Sequence, residues 1–175
     1  MERVELRLSG SGGQGLITGG IILAEAALYD GLNVVQSQSY GPEARGGASK
    51  AEVIISKHDI HFPKVTNFDI LLSLTQLSCD KYLSGLKSGG TLIIDSSVDV
   101  PKRDDIKVYQ VPILDTATHK LKKPMVANIV ALGVIYQVTK IVTEESLERA
   151  VLDRVPKGTE ALNKEALKEG LSLIN

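Results

Sequence analysis

A chain of 175 residues, 43% of them hydrophobic, has enough apolar material for the core of one ordinary domain spanning positions 1–175. Its 20 basic and 21 acidic residues leave a net charge of −1, and no basic stripe interleaved with aromatics is visible, which argues against nucleic acid as the main partner. The charged start Met1-Glu2-Arg3-Val4-Glu5 is unlike a signal peptide and no apolar run reaches the roughly 20 residues of a membrane helix, so a cytoplasmic protein with no membrane partner is expected.

In chain order, the apolar run Val4 to Leu8 predicts a first strand. It is followed by Ser9-Gly10-Ser11-Gly12-Gly13-Gln14-Gly15 and then by a helical stretch, Leu16 to Tyr29. Gly31 stops that helix, and Asn33 to Ser37 reads as the second strand. The loop Ser39-Tyr40-Gly41-Pro42-Glu43-Ala44-Arg45-Gly46-Gly47 is punctuated at both ends by glycine and proline. Ser49 to Ser56 alternates only in part, as expected of a strand near a sheet edge, and His58 to Phe62 is expected to return beside it up to Pro63.

Asp69 to Ser73 has the short apolar run of a central parallel strand. Thr75 can cap a helix from Gln76 to Leu86 that stops at Gly89-Gly90. Thr91 to Asp95 and Lys107 to Val111 add two strands separated by a polar loop. The last third is helical: a short piece from Pro112 to Leu121, a buried helix from Met125 to Lys140, and two more helices, Glu144 to Val155 and Glu160 to Leu173, with Thr143 and Thr159 as caps. Repeated strand–helix alternation implies α/β class: a three-layer α/β/α, Rossmann-like domain with a mainly parallel sheet, an edge hairpin and a helical C-terminus.

The turn Gly10, Ser11, Gly12, Gly13, Gln14 and Gly15 gathers backbone N–H groups at a helix N-terminus, where an anion is favoured. Its G-x-G-x-x-G spacing sits between strand and helix, but the acidic residue that would hold a ribose at the end of the second strand is replaced by Val34-Val35-Gln36-Ser37. No Gly-Lys-Ser/Thr closes a phosphate loop, and no serine stands at the centre of a nucleophile elbow. Two readings stay open for the turn: an anion nest, or a device for packing the helix closely on its strand.

Catalytic candidates are sparse. His58, His61 and His119 are not spaced as a metal set, Cys79 falls inside a helix as a small packed residue, and Asp69 and Asp95 bracket strands as hydrogen-bond acceptors. As the one cysteine, Cys79 can form neither an internal disulfide nor a cysteine-ligated cluster within this chain, so any redox cluster belongs to a partner. No catalytic residue and no metal ligand is assigned, and the residues alone describe an α/β binding or subunit module.

The glycine turn, followed about 25 residues later by Ser39-Tyr40-Gly41-Pro42-Glu43-Ala44-Arg45-Gly46-Gly47, resembles the gamma subunit of the 2-oxoacid:ferredoxin oxidoreductases, whose equivalent in single-chain pyruvate:ferredoxin oxidoreductase is an internal domain. The likeness extends through Asp69-Ile70-Leu71-Leu72, Gly89-Gly90-Thr91-Leu92-Ile93-Ile94-Asp95, and Asn128 ahead of Leu132-Gly133. It implies a non-autonomous subunit of an enzyme that converts a 2-oxoacid, coenzyme A and oxidised ferredoxin to an acyl-CoA, carbon dioxide and reduced ferredoxin. The compact chain places 2-oxoglutarate ahead of pyruvate or branched-chain oxoacids. Thiamine diphosphate, magnesium and iron–sulfur clusters would reside in alpha, beta or a ferredoxin-like delta subunit, with coenzyme A as co-substrate and ferredoxin as electron acceptor.

The isolated chain is then expected to be inactive and able to pair with itself as a homodimer. Gly10, Ser11, Gly12, Gly13, Gln14, Gly15, Tyr40, Gly41, Glu43, Arg45 and Gly46 are the candidate cofactor-facing residues. Their two loops are expected on neighbouring parallel strands, with Arg45 facing a carboxylate or phosphate, or bracing Glu43 at a subunit contact. The small subunit of indolepyruvate oxidoreductase and a stand-alone nucleotide- or anion-binding protein are the alternatives.

Overall fold

Strands and helices follow one another as β1 (Arg3–Ser11), α1 (Leu16–Tyr29), β2 (Asn33–Gln38), β3 (Ala48–Ser56), β4 (Phe68–Ser73), α2 (Gln76–Tyr82), β5 (Leu86–Asp95), β6 (Lys107–Val111), α3 (Ile113–Asp115), α4 (Ala127–Thr139), α5 (Glu144–Arg154) and α6 (Glu160–Ser172). The computed structural model describes residues 2–39 and 47–175. Its six strands form one sheet in the order β2-β3-β1-β4-β5-β6. β1, β4, β5 and β6 run parallel, and β3 is antiparallel to both of its neighbours.

Alternation along the strands divides the apolar side chains between two cores. Leu6, Leu8, Val53, Ile55, Ile70, Leu72 and Ile93 meet α1, α4 and the inner faces of α5 and α6. Ile54, Phe68, Leu71, Leu92 and Ile94 meet Cys79 and Tyr82 of α2 on the other face, together with Val98. The register shift between Phe68 and Ile70 puts Phe68 in the second core, with Leu71 rather than with Ile70. α4 is apolar on almost every side because it lies between the sheet and α6. Its close approach to α6 depends on Gly133 and Gly170: a Cβ at Gly133 would lie 2.5 Å from the Leu167 carbonyl oxygen.

Ser49 to Ser56 lies near an edge, as expected: β3 is second from it, between β2 and β1, and its partial alternation reflects burial along most of its length, with both faces covered. Three expectations about the segments from His58 to Gly90 are corrected. His58 to Phe62 forms no strand; this segment is instead held across the end of β1, where Arg3 donates to the Phe62 carbonyl at 2.9 Å. The helix after Thr75 ends at Tyr82, followed by a single tight turn over Leu83–Gly85. Gly89-Gly90 then sits inside β5 as an irregularity in its pairing with β4, and does not stop a helix.

Thr159 makes no side-chain cap. Its hydroxyl donates to the Pro156 carbonyl at 2.6 Å and accepts from Asn163 Nδ2 at 3.1 Å. Thr75 and Thr143 do cap α2 and α5, accepting from the N–H groups of Ser78 (3.3 Å) and Ser146 (3.2 Å). Asp30, at the C-terminal end of α1, reaches the same α5 terminus. Its carboxylate accepts from the Thr143 N–H (2.6 Å), the Thr143 hydroxyl (2.7 Å) and the Ser146 hydroxyl (2.5 Å). That clamp sets α5 against α1, and among the described residues no helix is long and apolar enough to cross a membrane.

Candidate functional site

The candidate residues of the glycine turn lie at the C-terminal edge of the parallel strands, where open α/β sheets present their ligand-binding loops. β1 ends at Ser11, and the chain turns through Gly12 to Gly15 into α1. Two of the four glycines, Gly13 (φ +85°) and Gly15 (φ +73°), hold left-handed backbone angles that an L side chain resists. The turn closes on itself: the Ser11 N–H donates to Gln14 Oε1 at 2.8 Å, and the Gln14 N–H reaches the Ser11 carbonyl at 3.4 Å. Gln14 is folded back over Gly10, where an added Cβ would lie 2.2 Å from its Oε1. Gly12 and Gly13 are the exposed part of the turn, while Gly10 is buried in the strand.

Asn128, near the start of α4, anchors this turn from outside. Its Nδ2 donates to the Gly15 carbonyl at 3.1 Å, and its Oδ1 accepts from the Ile129 N–H at 2.9 Å. A Cβ on Gly15 would come within 2.6 Å of the Asn128 amide nitrogen, so glycine is required there by contact as well as by backbone angle. Sequence reasoning gave Asn128 no role of its own. The available signal was a lone amide within the apolar run Val126 to Ile135.

β1 and β2 are parallel, as expected, but β3 separates them. The strand ends that flank the second loop nonetheless lie at the same edge as the end of β1. β3 enters the sheet at Ala48 directly opposite Ser11, and β2 leaves it at Gln38 opposite Ala51. Tyr40, Gly41, Glu43, Arg45 and Gly46 lie outside the described residues. At the base of their loop, the Ser39 N–H meets the Lys50 carbonyl at 3.5 Å, and the Tyr82 hydroxyl donates to the Ala48 carbonyl at 3.2 Å.

Next to that base is a buried charge cluster that the sequence reading missed. Arg7 Nη2 donates to Glu52 Oε1 at 2.6 Å, and Lys50 Nζ reaches the same oxygen at 3.0 Å. The Arg7 guanidinium lies 4.5 Å from the centroid of the Phe68 ring and 4.9 Å from that of Tyr82, a desolvated setting in which cation–π attraction is worth on the order of 2 kcal/mol. Opposite charges at mid-strand positions, Arg7 between Leu6 and Leu8 and Glu52 between Ala51 and Val53, were the signal.

The remaining polar candidates are occupied structurally. Asp95 accepts from the Ser97 N–H and hydroxyl and from the Leu114 N–H. Asp69 accepts from the Glu5 N–H and from Lys87. Cys79 is buried, and burial pushes its thiol above the usual value, away from the thiolate a nucleophile needs. Among the described residues no three His, Cys, Asp or Glu side chains converge as a metal set.

Comparison with known proteins places this arrangement among named relatives. The family model "Pyruvate ferredoxin/flavodoxin oxidoreductase" matches residues 5–173. The chain is 51% identical over 172 residues to the 2-oxoglutarate synthase subunit KorC of Methanocaldococcus jannaschii, covering 96% of this chain and 92% of that one. It superposes with a TM-score of 0.91 and 47% identity on the crystal structure of a keto/oxoacid ferredoxin oxidoreductase gamma subunit from Geobacter sulfurreducens, covering 99% and 97% of the two chains. The same fold, at 23% identity and a TM-score of 0.88, makes up 31% of a longer chain. That chain is the 2-oxoglutarate:ferredoxin oxidoreductase of Magnetococcus marinus, whose structure has 2-oxoglutarate, coenzyme A and succinyl-CoA bound.

Proposed function

Because the chain belongs to the pyruvate ferredoxin/flavodoxin oxidoreductase family, we propose that it is the gamma subunit of a 2-oxoacid:ferredoxin oxidoreductase acting on 2-oxoglutarate. The observation that carries this reading is 51% identity, over nearly the whole of both chains, to a subunit named for 2-oxoglutarate synthase. The complex would convert 2-oxoglutarate, coenzyme A and oxidised ferredoxin to succinyl-CoA, carbon dioxide and reduced ferredoxin.

The division of labour follows from this chain's donors. With one cysteine in the sequence, and that one buried, the chain cannot supply the cysteines of an iron–sulfur cluster, so clusters fall to partner chains; the family likeness assigns thiamine diphosphate and its magnesium to the alpha and beta partners. Bound there, thiamine diphosphate supplies the electron sink for decarboxylation. The gamma chain would contribute the exposed backbone of Gly12 and Gly13 at the N-terminus of α1, a position that favours an anion such as a coenzyme A phosphate. Arg45, on the loop rooted at Ser39 and Ala48, would add a paired positive charge. Asn128, Gln14 and the Arg7–Glu52 pair hold the scaffold of that edge.

Co-expression with the adjacent thiamine-binding partner chains tests the reading. The assembled complex is expected to reduce ferredoxin in a 2-oxoglutarate- and coenzyme A-dependent reaction, with pyruvate a poor substitute, and each isolated chain should be inactive. Failure of the chain to co-purify with those partners, or equal turnover without it, would refute it.

A further inference from the structure

A groove of about 210 Å³ opens beside the Asn128 anchor, between the first turn of α1, the start of α4, the end of α5 and the start of α6. Thr18, Ile129, Val155 and Leu162 line it, and Met125, 74% exposed, stands at its rim. A methionine held that far into water on the turn leading into α4 contributes little to this chain's own core. The groove's volume equals roughly seven waters at about 30 Å³ each, below the roughly 300 to 1,000 Å³ of sites that enclose whole small-molecule ligands. It matches one large side chain more closely than a cofactor.

The rim is basic. Lys122 and Lys123, exposed on the turn just before Met125, have no ion-pair partner among the described residues, and exposed Lys157 stands on the turn between α5 and α6. Arg154, which also lines the groove, is engaged by Glu25, and Glu160 accepts from the Gly158 N–H. Lys122, Lys123 and Lys157 outnumber Glu160, whose charge the neutral Gly158 N–H leaves in place, so the net charge on the turns flanking the opening is positive.

The occupant follows from how the relatives are built. The same fold is 31% of one longer chain in the Magnetococcus marinus structure but 92% of the Methanocaldococcus jannaschii subunit. A domain fused to the rest of its enzyme is held at an effective concentration on the order of millimolar; a subunit built like the Methanocaldococcus jannaschii relative must replace that tether with contacts, which concentrate in a few apolar anchors seated in pockets. We propose that this groove is the socket in which a large apolar side chain of the catalytic partner chain, flanked by carboxylates, anchors the subunit. The inference rests on the gamma-subunit reading and adds to it the site of attachment. Since Asn128 lines the groove and also holds Gly15, docking there places the glycine turn directly beside the partner.

The test is assembly of the purified chain with the co-expressed partner chains, its affinity measured by biolayer interferometry at several salt concentrations. Met125→Asp is expected to weaken assembly on the order of thirtyfold or more while leaving the thermal unfolding of the free chain unchanged. Lys122→Glu with Lys123→Glu should slow association and reverse its salt dependence. Wild-type affinity in both variants would overturn the socket while the subunit reading stands. So would a homodimer of the free chain that Met125→Asp abolishes without affecting assembly with the partners, since the groove would then hold a second copy. Failure of the wild-type chain itself to assemble would overturn the subunit reading, and the socket with it.

Discussion

Replacing Gly15 with alanine tests whether the glycine turn and the start of α4 form one mechanical unit. Two costs can be separated. An L residue at φ +73° costs about 1 to 2 kcal/mol, and a Cβ 2.6 Å from Asn128 Nδ2 adds an overlap of the kind that costs about 1 to 3 kcal/mol. Gly15→Ala should therefore lower stability by about 2 to 5 kcal/mol. Asn128→Ala loses two neutral hydrogen bonds, to the Gly15 carbonyl and from the Ile129 N–H, at about 1 kcal/mol each. In the double variant the overlap with the amide has gone, while the backbone penalty and a tight 3.2 Å approach to the Cβ of residue 128 remain. The two single costs should then exceed the double cost by about 1 to 3 kcal/mol. Urea unfolding of the four proteins, followed by circular dichroism, measures the cycle. Additivity within about 0.5 kcal/mol would refute the contact argument and leave the backbone angle as the whole reason for glycine at this position.

Three further expectations follow from single contacts. Burial raises the pKa of Asp30, but hydrogen bonds from Ser146 and Thr143 outweigh it, so the folded value lies below the ordinary 3.8. The clamp's contribution is thus fully present above that value and is lost as pH falls through the lower folded one. The stability gap between wild type and Asp30→Asn, by urea titration at several pH values, should be constant near neutrality and shrink below about pH 4. Glu52→Gln leaves the Arg7 guanidinium buried without its counter-charge and should cost about 3 to 5 kcal/mol in chemical denaturation, whereas Lys50→Met, at the more exposed end of the cluster, should cost less than about 1 kcal/mol. Arg45→Ala in the reassembled enzyme should raise the KM for coenzyme A about tenfold to a hundredfold, as expected for losing about 1.5 to 3 kcal/mol of charged hydrogen bonding; impaired assembly with normal kinetics would instead make that loop a subunit contact.

Elements whose signal is local were legible in the sequence. α1 begins at Leu16 after a run of glycines, Thr75 and Thr143 cap the helices placed after them, and β4 and β6 fall within a residue of their apolar runs, because capping, turn angles and periodicity act over only a few residues. The family likeness was legible for the same reason, carried by two short loops whose spacing survives in linear form. Strand order was not. β1 and β2 read as neighbours because they are consecutive parallel strands in the sequence, yet β3 lies between them, since only the long-range pairing of β3 with both decides which strands meet. Gly89-Gly90 punctuates a helix in the sequence but bends a strand in the fold, since only pairing with β4 decides which. The Asn128 anchor on Gly15 and the Arg7–Glu52 pair between two aromatic rings bring together residues far apart in the chain, and no local preference encodes such a contact: it exists only once the sheet and its two helical layers have closed around it.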